Sequence, residues 1–138
     1  MSTKLNPHSV IRIPTSVDKF FRYWFEFLRP FHKLTNRETD VITAFTKKRY
    51  YLSKHINNNE LLDKVLMSDD IKREVREECD ISLPHFQVIM GKLRENKLIV
   101  DNKVNPRFIP NIVEKDGNFK LLLLFDLDEE KTDNSTSI

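Results

Sequence analysis

Glycine is scarce in this sequence: two occur among 138 residues. Loops that cradle phosphate groups, and sharp turns at active sites, usually depend on glycine because it has no Cβ and allows the backbone to approach a ligand closely. This scarcity argues against most nucleotide-dependent enzymes.

Cysteine is equally limited, since Cys79 is the only one. An intrachain disulfide is therefore impossible, and no C-x-x-C pair exists for a zinc site. The four histidines are scattered, with no metal-ligand partner at helical spacing: His8, His32, His55 and His85. We expect no metal, no cofactor and no catalytic centre, and hence a non-enzymatic protein. Cys79 follows Val75 at helical spacing, which predicts a core position for its thiol.

Long hydrophobic runs are also missing. The longest, Leu121 to Phe125, is far too short to cross a bilayer, and the first residues show no signal peptide. We therefore expect no membrane partner, and a location inside a cell or inside a particle that is assembled there.

The sequence also lacks a strong excess of positive charge. The formal net charge is +2, and it is unevenly spread. Five carboxylates and one lysine lie from Asp126 onward, so that segment carries −4 and the rest of the chain +6. This is mildly basic, and well short of the bias of many nucleic-acid-binding proteins.

The sequence does contain a pair of well-delimited helices between Ser68 and Ile99. Ser68 and Ser82 are typical N-cap residues, and carboxylates follow Ser68 in the first turn, where the helix dipole favours them. Ile81 and Phe86 are spaced for a hydrophobic staple across the second cap. The apolar stripe of the second helix consists of Phe86, Ile89, Met90 and Leu93.

This run resembles the helix-turn-helix half of a winged-helix domain. The matching positions are Cys79-Asp80-Ile81-Ser82, Phe86, Met90, Leu93 and Leu98-Ile99. Asp80 and Lys97 stand where the family pattern has glycine; aspartate enters left-handed backbone more easily than most residues, and lysine is common at helix ends. The resemblance implies a mainly α fold with a small β part, in which the winged helix-turn-helix follows an aromatic helix and precedes a β-hairpin wing.

The aromatic helix is predicted from Thr15 to Phe31, with capping-box-like spacing between Thr15 and Asp18. One stripe at helical spacing is expected to pack on the chain's own domain: Val17, Phe20, Phe21, Trp24, Leu28 and Phe31. Large aromatic side chains then remain around the rest of the cylinder: Tyr23, Phe25 and Phe27. We expect these three to form a protein interface, although the interleaved Lys19, Arg22 and Arg29 would also suit nucleic acid.

The other elements follow from caps and turns. Thr35 and Glu38 fit a capping box for a helix that reaches about Tyr51, and a short helix is expected from Glu60 to Met67. Asp101-Asn102 predicts a turn, the stretch from Val104 to Ile109 an extended segment, and Asp116-Gly117 a hairpin. The expected domain organisation is an extended arm (1–16), a winged-helix domain with its aromatic helix (17–127, wing within 100–127) and a flexible acidic tail (128–138).

Two functions are open at this point. In the first, the protein binds double-stranded DNA, with the second helix in the major groove. Outward positions on that helix, the preceding helix and the wing would make the contacts: His85, Gln87, Lys92, Arg94, Arg73, Arg76, Lys103 and Arg107.

In the second, the winged helix assembles with protein, because Leu83, Pro84 and Val88 are poor readers of bases and good interface residues. In overall texture, with RYWFEFLRPFHKLTNRETDVI and NPRFIP, the chain is similar to short uncharacterised proteins of crAss-like Bacteroidetes phages. That resemblance implies a tailed-phage protein located in the host cytoplasm or the virion. It is expected to be oligomeric, with DNA, other copies of itself, or other subunits of a capsid, portal or tail-connector assembly as partners.

Overall fold

The structure is a computed structural model that describes residues 13–112 and the paired strands 114–115 and 118–119. Within these residues lie five helices: α1 (Val17–His32), α2 (Asn36–Leu52), α3 (Asn59–Leu66), α4 (Asp69–Glu78) and α5 (Leu83–Glu95). They are followed by two short antiparallel hairpins: β1 (Ile99–Val100) with β2 (Lys103–Val104), and β3 (Glu114–Lys115) with β4 (Asn118–Phe119). The prediction of a mainly α fold with a small β part is confirmed.

Helix α2 lies at the centre and contacts α1, α3, α4 and α5. The predicted capping box fixes its start: Thr35 Oγ1 accepts the Glu38 N–H at 3.2 Å, and the Glu38 carboxylate accepts the Thr35 N–H at 3.2 Å. Every side chain from Val41 to Thr46 is buried. The Thr46 hydroxyl donates to the Ile42 carbonyl at 2.8 Å, so this threonine lies inside with its polar group satisfied.

Helix α1 begins later than predicted, at Val17. Ser16 rather than Thr15 is the N-cap, and its hydroxyl accepts the Lys19 N–H at 3.3 Å. The helix packs along α2, and its Trp24 Nε1 donates to the Phe108 carbonyl at 2.7 Å. This hydrogen bond ties the first helix to a segment 84 residues further along the chain.

The α4–α5 pair has the predicted caps. Ser68 Oγ accepts the Ile71 N–H, and Ser82 Oγ accepts the His85 N–H, each at 3.4 Å. Ile81 and Phe86 are both buried, as the staple requires. The connection between the helices is held from outside by Arg37 of α2.

Arg37 was not singled out from sequence, yet its guanidinium clamps the α4–α5 connection. Nη2 donates to the carbonyls of Cys79 at 2.6 Å and Asp80 at 3.0 Å, and Nη1 donates to Asp40 at 3.1 Å. These carbonyls lie at the end of α4, where backbone acceptors lack helical partners. The guanidinium therefore satisfies them and fixes α2 against the turn.

Cys79 is half-buried, so its predicted core position is met in part. Its Sγ donates to the Asp40 carbonyl at 3.7 Å. Burial, with the nearby carboxylates of Asp40 and Glu78, raises the pKa of this thiol to about 11. The thiol is therefore held in its protonated, unreactive form at neutral pH.

Asp80 and Lys97, the residues that replace glycine in the winged-helix pattern, both adopt left-handed backbone, with φ of 54° and 65°. Left-handed conformation costs an L-residue about 1–2 kcal/mol, and glycine avoids this cost. Asp80 and Lys97 therefore occupy backbone positions at which glycine would be less strained.

We expect Lys97→Gly to raise the free energy of unfolding by up to about 1 kcal/mol, because the side chain is exposed and its backbone strain is removed. Urea denaturation measures the change. The matched control is Asn96→Gly, whose φ of −86° is ordinary and which should instead lose stability. Equal effects at the two positions would contradict the role given to the left-handed backbone.

The first hairpin turns at Asp101 and Asn102, as predicted. Both residues are left-handed, with φ of 52° and 57°, as a two-residue type I′ turn requires. Ile99 pairs with Val104, and Val100 with Lys103. The hairpin places the buried Ile99 and Val104 against the helices, since β1 contacts α5 and β2 contacts α2 and α3.

The extended conformation predicted from Val104 to Ile109 is wrong for Pro106–Phe108, which form a 3₁₀ turn. Pro106 supplies the first φ of this turn, and the Asn105 side chain accepts the Arg107 N–H at 3.1 Å. These two local signals outweigh the strand-like composition. Phe108 is consequently buried against α1 rather than placed on a strand.

The second predicted hairpin is confirmed at its centre: Glu114 pairs with Phe119, and Lys115 with Asn118. The rest of the predicted wing, most of the arm (1–12) and the acidic tail (128–138) lie outside the described residues. The domain organisation expected from sequence therefore stays a prediction.

Candidate binding surfaces

The buried face of α1 differs from the predicted one. Phe25 was expected on an interface, but its side chain is 0% exposed, so it belongs to the chain's own core and not to an interface. Phe31, which was expected to pack on the domain, is 51% exposed. The docking face is rotated about the helix axis, and runs through Phe21, Phe25 and Leu28 toward the 3₁₀ turn.

A line of exposed aromatic side chains remains on α1. Tyr23 is 52% and Phe27 36% exposed, and with Phe31 they recur every four residues along one side of the helix. The rings of Phe27 and Phe31 lie 6.0 Å apart. We call Tyr23, Phe27 and Phe31 the aromatic ridge. It contains two of the three residues of this helix that were predicted to form an interface, Tyr23 and Phe27.

The outward side of α5 is a second partly apolar surface. Val88 is 61% and Leu83 52% exposed, and Pro84, His85 and Gln87 are exposed beside them. These residues match the sequence prediction of an outward face. We call Leu83, Pro84, Gln87, Val88 and Gly91 the α5 face.

By its spacing Gly91 is an outward position of α5, but the sequence reasoning assigned it no contact. A Cβ at this position would meet nothing within 4 Å, so no neighbour in the fold requires a glycine here. A glycine inside a helix costs about 0.5–1 kcal/mol relative to alanine. The sequence does show that this glycine is unusual, since one of the two glycines in the chain lies inside a helix whose other residues fit the helical pattern.

The cations predicted to contact DNA divide into two groups. On α4, Arg73 forms ion pairs with Asp70 at 2.9 Å and Glu77 at 3.9 Å, while Arg76 donates to the Ile81 carbonyl at 3.5 Å. Both guanidiniums are thus engaged within the chain.

All but one of the other residues that were predicted to contact DNA lie on α5 or on the hairpin that follows it: His85, Gln87, Lys92, Arg94 and Lys103. Lys92 forms an ion pair with Glu95 at 3.4 Å. Arg107 is the exception because it lies on the 3₁₀ turn. The pKa of His32, at the end of α1, is lowered first by the burial of its imidazole and then by the charge of Arg107.

Charge is segregated along this part of the chain. Between Asp69 and Gly91 lie six carboxylates and three lysine or arginine residues, whereas between Lys92 and Arg107 lie two carboxylates and five such cations. Lys47 and Lys48 of α2 add cations beside α4, but they pair with Glu78 at 3.5 Å and Glu74 at 3.2 Å. The α4–α5 pair is therefore net acidic, and the α5 end with the hairpin is basic.

A cleft of about 330 Å³ lies between α1, α2 and the segment after the 3₁₀ turn. Its polar side chains include Arg49, Thr46 and Ser53. Arg49 pairs with Asp63 at 3.0 Å, and the two hydroxyls donate to the backbone carbonyls of Ile42 and Tyr50. These groups are engaged in the fold rather than poised toward a ligand.

Within the described ranges, no three histidine, cysteine or carboxylate side chains come together in a way that would hold a metal ion. In the same residues, no helix combines the length and the apolar character that crossing a membrane requires. Comparison with family models, curated proteins and solved structures gave no match to this chain.

Proposed function

We propose that the protein is a non-enzymatic winged-helix domain whose copies assemble with one another, and that the assembly belongs to a tailed-phage particle. In this proposal α2, α4 and α5 are the three winged-helix helices, and the hairpin β1–β2 begins the wing. The left-handed backbone at Asp80 and Lys97, where the family pattern has glycine, supports the assignment. The phage source comes from the textural resemblance of the sequence.

The observation that carries the assembly function is the α5 face. A DNA-reading helix needs polar groups at base edges and cations at phosphates. The outward side of α5 instead presents Val88 and Leu83, more than half exposed, on a helix pair with more carboxylates than cations. Exposed apolar side chains of this kind are typical of the centre of a protein interface.

Sedimentation velocity of Val88→Glu tests the assembly. We expect the wild type to form species larger than a monomer as concentration rises. The substitution should weaken association about tenfold or more, because it would bury a carboxylate without a partner. The matched control is Leu61→Glu on α3, a similarly exposed apolar residue (51%) on another helix, which should assemble like the wild type. A wild type that stays monomeric would refute the proposal.

DNA binding is the second candidate, and the basic end of α5 with the hairpin favours it. In that case, Lys92→Ala and Arg94→Ala would each reduce the salt dependence of binding by about one unit of slope, while Gln87→Ala would relax base preference. Fluorescence anisotropy with long duplex DNA at low salt distinguishes the two functions. Binding by Val88→Glu at wild-type affinity would favour DNA contacts made by the cations alone.

A further inference from the structure

A series of charged side chains joins α1 to the connection between α4 and α5. The Arg22 guanidinium on α1 donates to one oxygen of the Asp40 carboxylate, Oδ1. On α2, Arg37 Nη1 donates to the other oxygen, Oδ2, at 3.1 Å. The same guanidinium donates through Nη2 to the carbonyls of Cys79 and Asp80. One carboxylate of α2 therefore links a cation of α1 to the cation that clamps the connection.

The geometry of this series restricts how the Asp40 carboxylate can turn. Arg22 is itself held on α1 by the Glu26 carboxylate, which accepts from Nε at 3.0 Å and lies 2.9 Å from Nη2. This leaves Nη1 directed at Asp40. Because Arg22 already orders the Asp40 carboxylate, its second oxygen can accept from Arg37 with less further loss of side-chain freedom.

We infer that Asp40 couples the position of α1 to the α4–α5 connection, because Arg22 orients the carboxylate that holds Arg37 against the carbonyls at the end of α4. Arg22 is then a positioning residue that acts on the connection through two other side chains. Helix α5 begins at Leu83, directly after this connection, so the direction in which the α5 face points depends on it. Helix α1 therefore influences α5 in addition to its contribution to the core. This coupling is independent of what the α5 face binds.

Cys79 provides a measure of how firmly the connection is held. Its carbonyl accepts from Arg37, and its Sγ donates to the Asp40 carbonyl at 3.7 Å, so the thiol lies at the same junction. Opening of the connection would expose the thiol and remove the burial that raises its pKa to about 11. Both changes increase the amount of thiolate that a reagent can reach. The rate at which Cys79 is alkylated should therefore follow the population of the open form.

Alkylation of the protein with N-ethylmaleimide, followed by mass spectrometry, tests the coupling. The variant is Arg22→Met, which removes the guanidinium and keeps an unbranched side chain that suits a helix. We expect Cys79 to react about two- to fivefold faster, the range that partly exposed charge pairs allow. The matched control is Arg73→Met on α4, which loses ion pairs with Asp70 and Glu77 but lies outside the series. It should react at the wild-type rate.

Arg37→Met tests whether Arg22 acts through Arg37. Removal of the clamp itself should give the fastest alkylation of Cys79. Adding Arg22→Met to Arg37→Met should then change the rate no further, since the side chain through which Arg22 acts is already absent. An equal acceleration by Arg22→Met in the presence and in the absence of Arg37 would overturn the coupling.

Urea denaturation of each variant separates local opening of the connection from unfolding of the whole domain. All samples are compared in dilute solution, so that association does not contribute. If the opening is local, the alkylation rate of Arg22→Met rises by more than its loss of global stability predicts. An unchanged rate, or a rise that the global stability fully accounts for, would overturn the inference.

Discussion

Replacing Phe25 with alanine is expected to lower the free energy of unfolding by about 3–5 kcal/mol, the usual cost of a buried phenylalanine. Phe25 is fully buried and belongs to the main core, in which α1 packs on α2. Since domains of this size are stable by about 5–15 kcal/mol, such a loss removes a large part of the total. Urea denaturation followed by circular dichroism measures it.

The matched control is Tyr23→Ala, two residues earlier on the same helix and 52% exposed. It should change the free energy of unfolding by less than about 0.5 kcal/mol, as surface substitutions usually do. Both variants are compared in dilute solution, so that association does not add to stability. If Phe25→Ala were as mild as Tyr23→Ala, the placement of α1 on the core would be wrong.

Phe86→Ala is expected to have an effect of the same size, about 3–5 kcal/mol, because Phe86 belongs to the same core. Phe86 is buried between α5 and α2, with its ring 6.3 Å from that of Phe45. It also follows the Ser82 cap as the second residue of the staple, so its loss removes both packing and a constraint on the start of α5.

Thermal unfolding of Phe86→Ala and of Leu83→Ala separates the buried side of α5 from its outward side. Leu83 lies at the first position of the same helix and is more than half exposed. Its truncation should hardly change the melting temperature of the monomer. A larger loss at Leu83 than at Phe86 would show that the register of α5 is reversed.

Helix ends were predictable from the sequence because their signals are local. The caps at Ser68 and Ser82 and the capping box at Thr35 each depend on residues within one turn, and all three occur as predicted. The turn at Asp101-Asn102 and the pairing of Lys115 with Asn118 are local in the same sense. The residue preferences behind these interactions are local, so a short stretch of sequence shows them.

The buried face of α1 was not predictable in the same way. Aromatic residues lie on all sides of this helix, so spacing alone allowed more than one apolar stripe. The choice was made by distant partners: α2 along the helix, and the Phe108 carbonyl that accepts from Trp24. A contact across 84 residues is not visible in a local pattern. For this reason the sequence wrongly predicted an exposed Phe25 and a buried Phe31.

The candidate surfaces were predictable in part. Leu83, Pro84 and Val88 are exposed as expected, because the stripe of α5 is clearly one-sided. The contacts of Arg73 and Arg76 were not visible, since an arginine that is engaged within its own chain and one that is available for a phosphate have the same sequence pattern. The outward position of Gly91 follows from helical spacing, whereas the open space beside it was not visible in the sequence.

The half-buried thiol of Cys79 has a practical consequence for labelling chemistry. With a pKa of about 11, almost none of it is thiolate at neutral pH, and the thiolate is the species that attacks maleimides and disulfides. A cysteine introduced on an exposed helix position would ionise near pH 8.5 and react far faster. The wild-type chain can therefore serve directly as the background for site-specific probes, without first replacing its own cysteine.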